Sequence, residues 1–244
     1  MPAVFTNAER PDLGDRVDFN VWPAYNTHGD VLNRYWSRLY EDFQQFQFVL
    51  YDEDEDVVVA EGHTIPFAWD GTVDGLPAGI DGLVEDAFRL REQGGEPTAL
   101  SALAIEIRPA VQGGGLSRSM IEAMGRIARD HGFENLVAPL RPSWKERYPL
   151  TPIVRYALWT REDGLPFDPW IRTHARLGAE MLRPEPRSLR ISGTVAEWED
   201  WTEMAFPESG EYVFPHGLAP LSVVRERDFG LYFEPNMWMV HRVH

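Results

Sequence analysis

Ala110-Val-Gln-Gly-Gly-Gly-Leu-Ser-Arg-Ser-Met-Ile-Glu-Ala-Met124 runs from an apolar segment, through three consecutive glycines, into a helical pattern. Adjacent glycines cost backbone entropy, so a chain keeps them where side chains would be in the way. Leu116, Met120, Ile121, Met124, Ile127 and Ala128 share one helical face, and the helix they predict stops at His131-Gly132-Phe133, where the glycine suits a left-handed cap. Ala99–Ile107, ahead of the glycines, reads as a strand. A strand that opens through glycines into a helix presents unpaired N–H groups at the positive end of the helix dipole. The stretch is therefore either an ordinary turn or a seat for an anion such as a pyrophosphate. No lysine follows the glycines, which excludes a Walker loop. A dinucleotide fingerprint would need a βαβ unit opening on the loop.

Working outward, an antiparallel hairpin precedes the strand: Phe46–Tyr51, the acidic turn 52–56, then Val57–Ile65. Apolar residues from Val31 to Phe43 recur at helical spacing and predict an amphipathic helix over 29–45. Residues 71–98 are rich in glycine around a helix at Ile80–Arg91 and read as an insertion or lid. Asn135–Leu140 is a short strand whose proline implies an edge or splayed position. Residues 143–160 read as a broken helix, a short helix follows Pro169, and strands are expected near 187–194 and 219–233. This order predicts a mixed α/β sheet with helices on both faces, in a single domain over 1–244.

Composition narrows the function classes. With 43% hydrophobic residues the chain is globular, and with no cysteine it has neither disulfides nor thiolate metal sites. A net charge of −16 argues against nucleic acid and anionic membranes as partners. With no signal layout and no membrane-length apolar run, the expectation is a cytoplasmic protein. The histidines lack ligand spacing, so no metal site is assigned.

Gln112-Gly-Gly-Gly-Leu-Ser117, after a strand, resembles the Gln/Arg-x-x-Gly-x-Gly/Ala motif of the GNAT superfamily, with Ser117 departing at the last position. Tyr148–Pro152, Asp163–Trp170, Gly193–Trp198 and Glu234–Met239 are similar to blocks of the GNAT-like loading domains of polyketide synthases and their free-standing relatives. The resemblance implies a GNAT acyl-CoA N-acyltransferase fold. It implies coenzyme A, as acetyl-CoA or malonyl-CoA, held by Ile107, Gln112, Gly113, Gly114, Gly115, Leu116 and Ser117. It further implies either acyl transfer to a small-molecule amine, or decarboxylation of a malonyl thioester, with an acyl carrier protein as a partner docking on arginines such as Arg141 or Arg147. A non-catalytic acyl-CoA-binding module is the third alternative.

The resemblance also implies site residues. For transfer, Tyr148 or Tyr156 would protonate the leaving sulfur and Glu106 would act as a water-activating base. Among apolar neighbours a buried Glu106 would have a raised pKa, whereas on a solvated face it would be ordinary. For decarboxylation, the implied set is His174, a hydroxyl at Ser143 where relatives are expected to carry threonine, an arginine at Arg187 or Arg190, and Trp36 as pocket wall. Trp36 also continues an apolar helical face and reads equally as core.

Overall fold

The computed structural model describes residues 2–243. In chain order the first half holds β1 (Ala3–Thr6), α1 (Pro11–Gly14), α2 (Leu32–Tyr35), α3 (Leu39–Asp42), β2 (Gln47–Asp52), β3 (Val57–Phe67), α4 (Gly79–Glu92) and β4 (Ala99–Ile107). The second half holds α5 (Leu116–Asp130), β5 (Asn135–Leu140), α6 (Ile153–Tyr156), α7 (Pro169–Arg176), β6 (Glu180–Gly193), α8 (Val195–Thr202), β7 (Gly210–Tyr212), β8 (Leu221–Val224) and β9 (Phe229–Arg242).

All nine strands join one sheet in the order β1-β2-β3-β4-β5-β9-β8-β7, with β6 along the other edge of β9. The β4–β5 pair is parallel and the remaining neighbours are antiparallel. That parallel pairing is brief: Leu100 faces Leu136 and Ser101 faces Val137, after which the strands part. Pro139 falls in the parted stretch, where a missing N–H forfeits no bond to β4. The sequence-predicted splay is present, although β5 is an interior strand. A second gap follows on the same edge of β9, because β5 leaves at Met237 and β8 joins only at Leu231.

α5 buries Met120, Met124, Ile127 and Ala128 against the sheet, in the register its sequence predicts. The helix expected over 29–45 is instead broken into α2, α3 and a following 3-10 turn. Its apolar side chains still pack inward, with Leu32, Leu39 and Phe43 in the main core, so the periodicity reported burial more faithfully than continuity. α4 also belongs to that core through Leu83, Val84, Ala87 and Phe88. It starts at Gly79, whose φ of +72° and near approach to the Ser188 backbone both require glycine, and Ile80 N–H donates to Ser188 Oγ at 2.9 Å.

Candidate active site

The parted ends of β4 and β5 open a cleft of about 890 Å³. Ala102–Ile107 form one wall, Ala138–Arg141 the other, and Glu234 and Asn236 of β9 stand where its edge is unpaired. β5 no longer pairs with β4 beyond Ser101, so that edge of β4 is free to offer N–H groups to a bound carbonyl.

The glycine loop lies at one end. Gln112, Gly113, Leu116 and Ser117 line the cleft, as does Ile107 at the strand end. Gln112 Nε2 donates to the Ile107 carbonyl at 2.9 Å and so ties the loop back to β4. Gly113 and Gly115 both have φ of +82°, a region that side-chain-bearing residues rarely adopt. Apart from the adjoining residues, no atom of the described residues lies within 4 Å of a Cβ built at either position. Gly115 caps α5 without any side-chain cap, and the N–H groups from Gly113 to Ser117 have no backbone or side-chain acceptor. Free amides, an open approach and a long helix behind them fit a pyrophosphate, and Gly114 completes the run.

The other walls are assembled from distant segments. Glu106 lines the cleft and is only 8% exposed. Burial pushes its carboxyl above the usual range, and the nearby Glu61 charge adds to this, while a hydrogen bond from Trp22 and the proximity of His63 oppose. Trp36 lines the cleft while packing on His63, with ring centroids 4.7 Å apart, so it is at once wall and core neighbour.

His174 lines the cleft from α7 and is 2% exposed. Asp168 positions it: this carboxylate accepts from Trp170 N–H at 2.9 Å and Ile171 N–H at 3.2 Å, capping α7 ahead of Pro169. The same Asp168 accepts from the N–H groups of Ser143 and Trp144, which fixes the loop carrying Ser143 at the cleft. His174 Nδ1 lies 2.8 Å from His241 Nε2. One hydrogen is shared between these two ring nitrogens. His174 Nε2 is buried and has no hydrogen-bond partner among the described residues. Burial, with His241 second, lowers the His174 pKa to about 3, so the ring is neutral at physiological pH.

Four residues implied by resemblance stand elsewhere. Arg187 is exposed, with its guanidinium over Phe233, and Arg190 pairs with Asp30 at 3.1 Å on the surface. Both lie on β6, outside the cleft lining. The arginine in the cleft is Arg141, held by Glu234 at 3.1 Å and by the Tyr25 hydroxyl and His216 carbonyl. That engagement also removes Arg141 from the surface role expected for it. Tyr148 and Tyr156 are likewise outside the lining: they pack with Trp159 and Phe167, and Tyr156 donates to Asp168 at 2.8 Å. Among the described residues no tyrosine lines the cleft.

Sequence reading assigned no site role to Asp168, His241, Glu61 and His63, and gave Arg141 only a surface one. Three of these five had a local signal. Asp168-Pro169 is a helix-start dipeptide, and Glu61 and His63 are spaced to share one face of a strand. The other two had none, because only the fold brings β9 beside α7 and β5.

No family model matches the chain. Arginine N-acetyltransferase avaD of Aspergillus versicolor is 30% identical over 272 residues, an alignment covering 98% of this chain and 93% of the fungal protein. The loading GNATL domain of CurA from Lyngbya majuscula matches with a TM-score of 0.59 at 17% identity, covering 100% of this chain and 98% of that one. The GphF GNAT-like decarboxylase in complex with isobutyryl-CoA matches with a TM-score of 0.58 at 16% identity, covering 99% and 100%. At such identities the structural likeness carries the fold. The sequence likeness to avaD, spanning nearly all of both chains, carries the lineage: the chain belongs to the GNAT superfamily of acyltransferases.

Proposed function

We propose that the protein transfers a short acyl group from coenzyme A to the nitrogen of a small cationic amine, with arginine as the acceptor class. The observation that carries this reading is His174 Nε2, buried and without a partner among the described residues, on a ring that lines the cleft. An amine acceptor arrives with N–H hydrogens to give, and the cleft meets it with the Glu106 carboxylate and with a His174 Nε2 whose hydrogen-bonding capacity is left for the substrate. A further support is the printed activity of avaD, an arginine N-acetyltransferase. The net charge of −16 attracts a cation and leaves the anionic donor to the local cradle of the glycine loop.

The steps follow from these positions. Amides of the loop at 113–117 hold the pyrophosphate, and the free edge of β4 polarises the thioester carbonyl. Glu106 removes a proton from the ammonium, and the freed nitrogen attacks. Collapse expels a thiolate whose parent pKa is about 8.5, so departure needs no strong acid and the absence of a lining tyrosine is no obstacle.

Thiol release from acetyl-CoA, followed across arginine, a neutral amine and no amine, tests the proposal. Release dependent on the amine and fastest with the cationic acceptor is expected. Release indifferent to any amine would overturn it.

A further inference from the structure

A row of buried polar side chains leaves the cleft sideways, across the sheet. Glu106 on β4 stands opposite Glu61 on β3, and His63, on the same face as Glu61, stands opposite Gln47 on β2. His63 is 1% exposed, and ligand atoms of Glu61, His63 and Glu106 lie within 4.8 Å of one another. Gln47 fixes the imidazole. Its amide nitrogen donates to the Phe43 carbonyl at 3.0 Å and the Thr64 carbonyl at 2.9 Å, which turns its oxygen toward His63 Nδ1 at 3.1 Å. Nδ1 therefore carries a hydrogen, and Nε2 faces Glu61 Oε2 at 3.6 Å as an acceptor. Glu61 Oε1 accepts from the Tyr40 hydroxyl.

The row is open at both ends. Glu106 lines the large cleft. Glu61 and Tyr40 line a separate recess of about 10 Å³ beside the half-buried Asn7 and Arg10, room for roughly one water molecule. Transfer of an acyl group from a thioester to an ammonium yields an amide, a thiol and one free proton. Of the two hydrogens that leave nitrogen, one ends on sulfur and the other is surplus. With donor and acceptor filling the cleft, the surplus proton needs a route past neither.

We propose that Glu106, His63, Glu61 and Tyr40 form a proton relay from the cleft to the recess beside Asn7 and Arg10. This rests on the amine acyltransferase reading above. Glu106 takes the proton as the ammonium N–H bond breaks. The proton passes to His63 Nε2, giving an imidazolium whose Nδ1–H still donates to Gln47 Oε1. It moves from Nε2 to Glu61 and then, at the carboxylate held by Tyr40, to water in the recess. Where two members stand beyond direct contact, one water spans the gap. Burial would raise the Glu61 carboxyl, but the imidazolium form of His63, by hydrogen bond and charge, and then Tyr40 outweigh it and hold it below the usual range, so the exit end sheds its proton to water.

Steady-state kinetics with acetyl-CoA and arginine on wild-type, His63→Gln and Tyr40→Phe proteins tests the relay. His63→Gln is expected to lower kcat ~10-fold or more, toward the range of a lost acid–base group, with both KM values unchanged and partial rescue by added imidazole. Tyr40→Phe preserves packing and is expected to lower kcat less while changing the solvent isotope effect, so the idea stays decidable if His63→Gln does not fold. Wild-type kcat and isotope effect in a folded His63→Gln, or in Tyr40→Phe, would overturn the relay. So would a stoichiometric divalent metal bound to the purified wild-type protein. A wild-type protein that forms no amide from any amine would overturn the underlying reading, and the relay with it.

Discussion

At one end of the cleft a single run of backbone, residues 112–117, presents free amides. At the other, Trp36, Glu106, Ser143 and His174 come together from segments far apart in the chain. The first end depends on φ angles and open space, and no charged side chain takes part. The second depends on burial and on ionisable side chains. Binding and chemistry are thus physically separable here, and substitutions at the two ends should fail in different ways.

Glu106→Gln tests the chemical end most severely. It keeps the shape and removes the base, so kcat for amine acylation is expected to fall by ~10²–10⁴-fold while acetyl-CoA affinity holds. Equal losses of rate and affinity would dissolve the distinction between the two ends. Gly115→Val tests the binding end. A β-branched residue at φ +82° is strained, and its side chain enters the open space proposed for the pyrophosphate. Calorimetry is expected to show acetyl-CoA affinity down by ~10²-fold, comparable to the loss of a positioned amide donor, in a protein that remains folded.

What could be read beforehand divides along the same line. The loop, α5 and the hairpin are local patterns: glycines at positive φ, apolar residues at helical spacing, a polar turn between apolar runs. They stand where the sequence puts them. The catalytic wall is not local. Arg187 and Arg190 lay at a plausible distance along the chain, yet β6 runs on the far edge of β9 and carries both away from the cleft, while β5 delivers Arg141. Tyr148 and Tyr156 sit near the cleft in sequence terms, but the aromatic cluster with Trp159 and Phe167 claims them. The break between α2 and α3 was equally hidden, because an interrupted helix keeps the apolar spacing of a continuous one.

Two smaller effects sharpen the contrast. The His174 pKa of about 3 lies well below the ordinary 6.5. Between those values the unfolded chain binds a proton that the native state refuses, so stability is complete above pH 6.5 and declines as pH falls toward 3. His241, lowered to about 4 mainly by burial, adds in the same direction. Thermal melts between pH 7 and 4.5 should show the midpoint dropping, and His174→Gln should flatten that dependence. A midpoint insensitive to pH in the wild-type protein would contradict a buried neutral pair. Smallest of all is Thr194→Ala. Thr194 and Glu197 form a capping box at the start of α8, outside the cleft lining. Its loss is expected to cost ~1 kcal/mol in denaturant unfolding and leave kcat and acetyl-CoA affinity unchanged.

The most direct test of the amine-acyltransferase claim is mass spectrometry of the wild-type protein in two parallel incubations, one with acetyl-CoA and arginine, the other with malonyl-CoA alone. The account predicts N-acetylarginine with equimolar free coenzyme A in the first, and intact malonyl-CoA in the second. Acetyl-CoA appearing from malonyl-CoA, with arginine left unmodified in the first incubation, would contradict it.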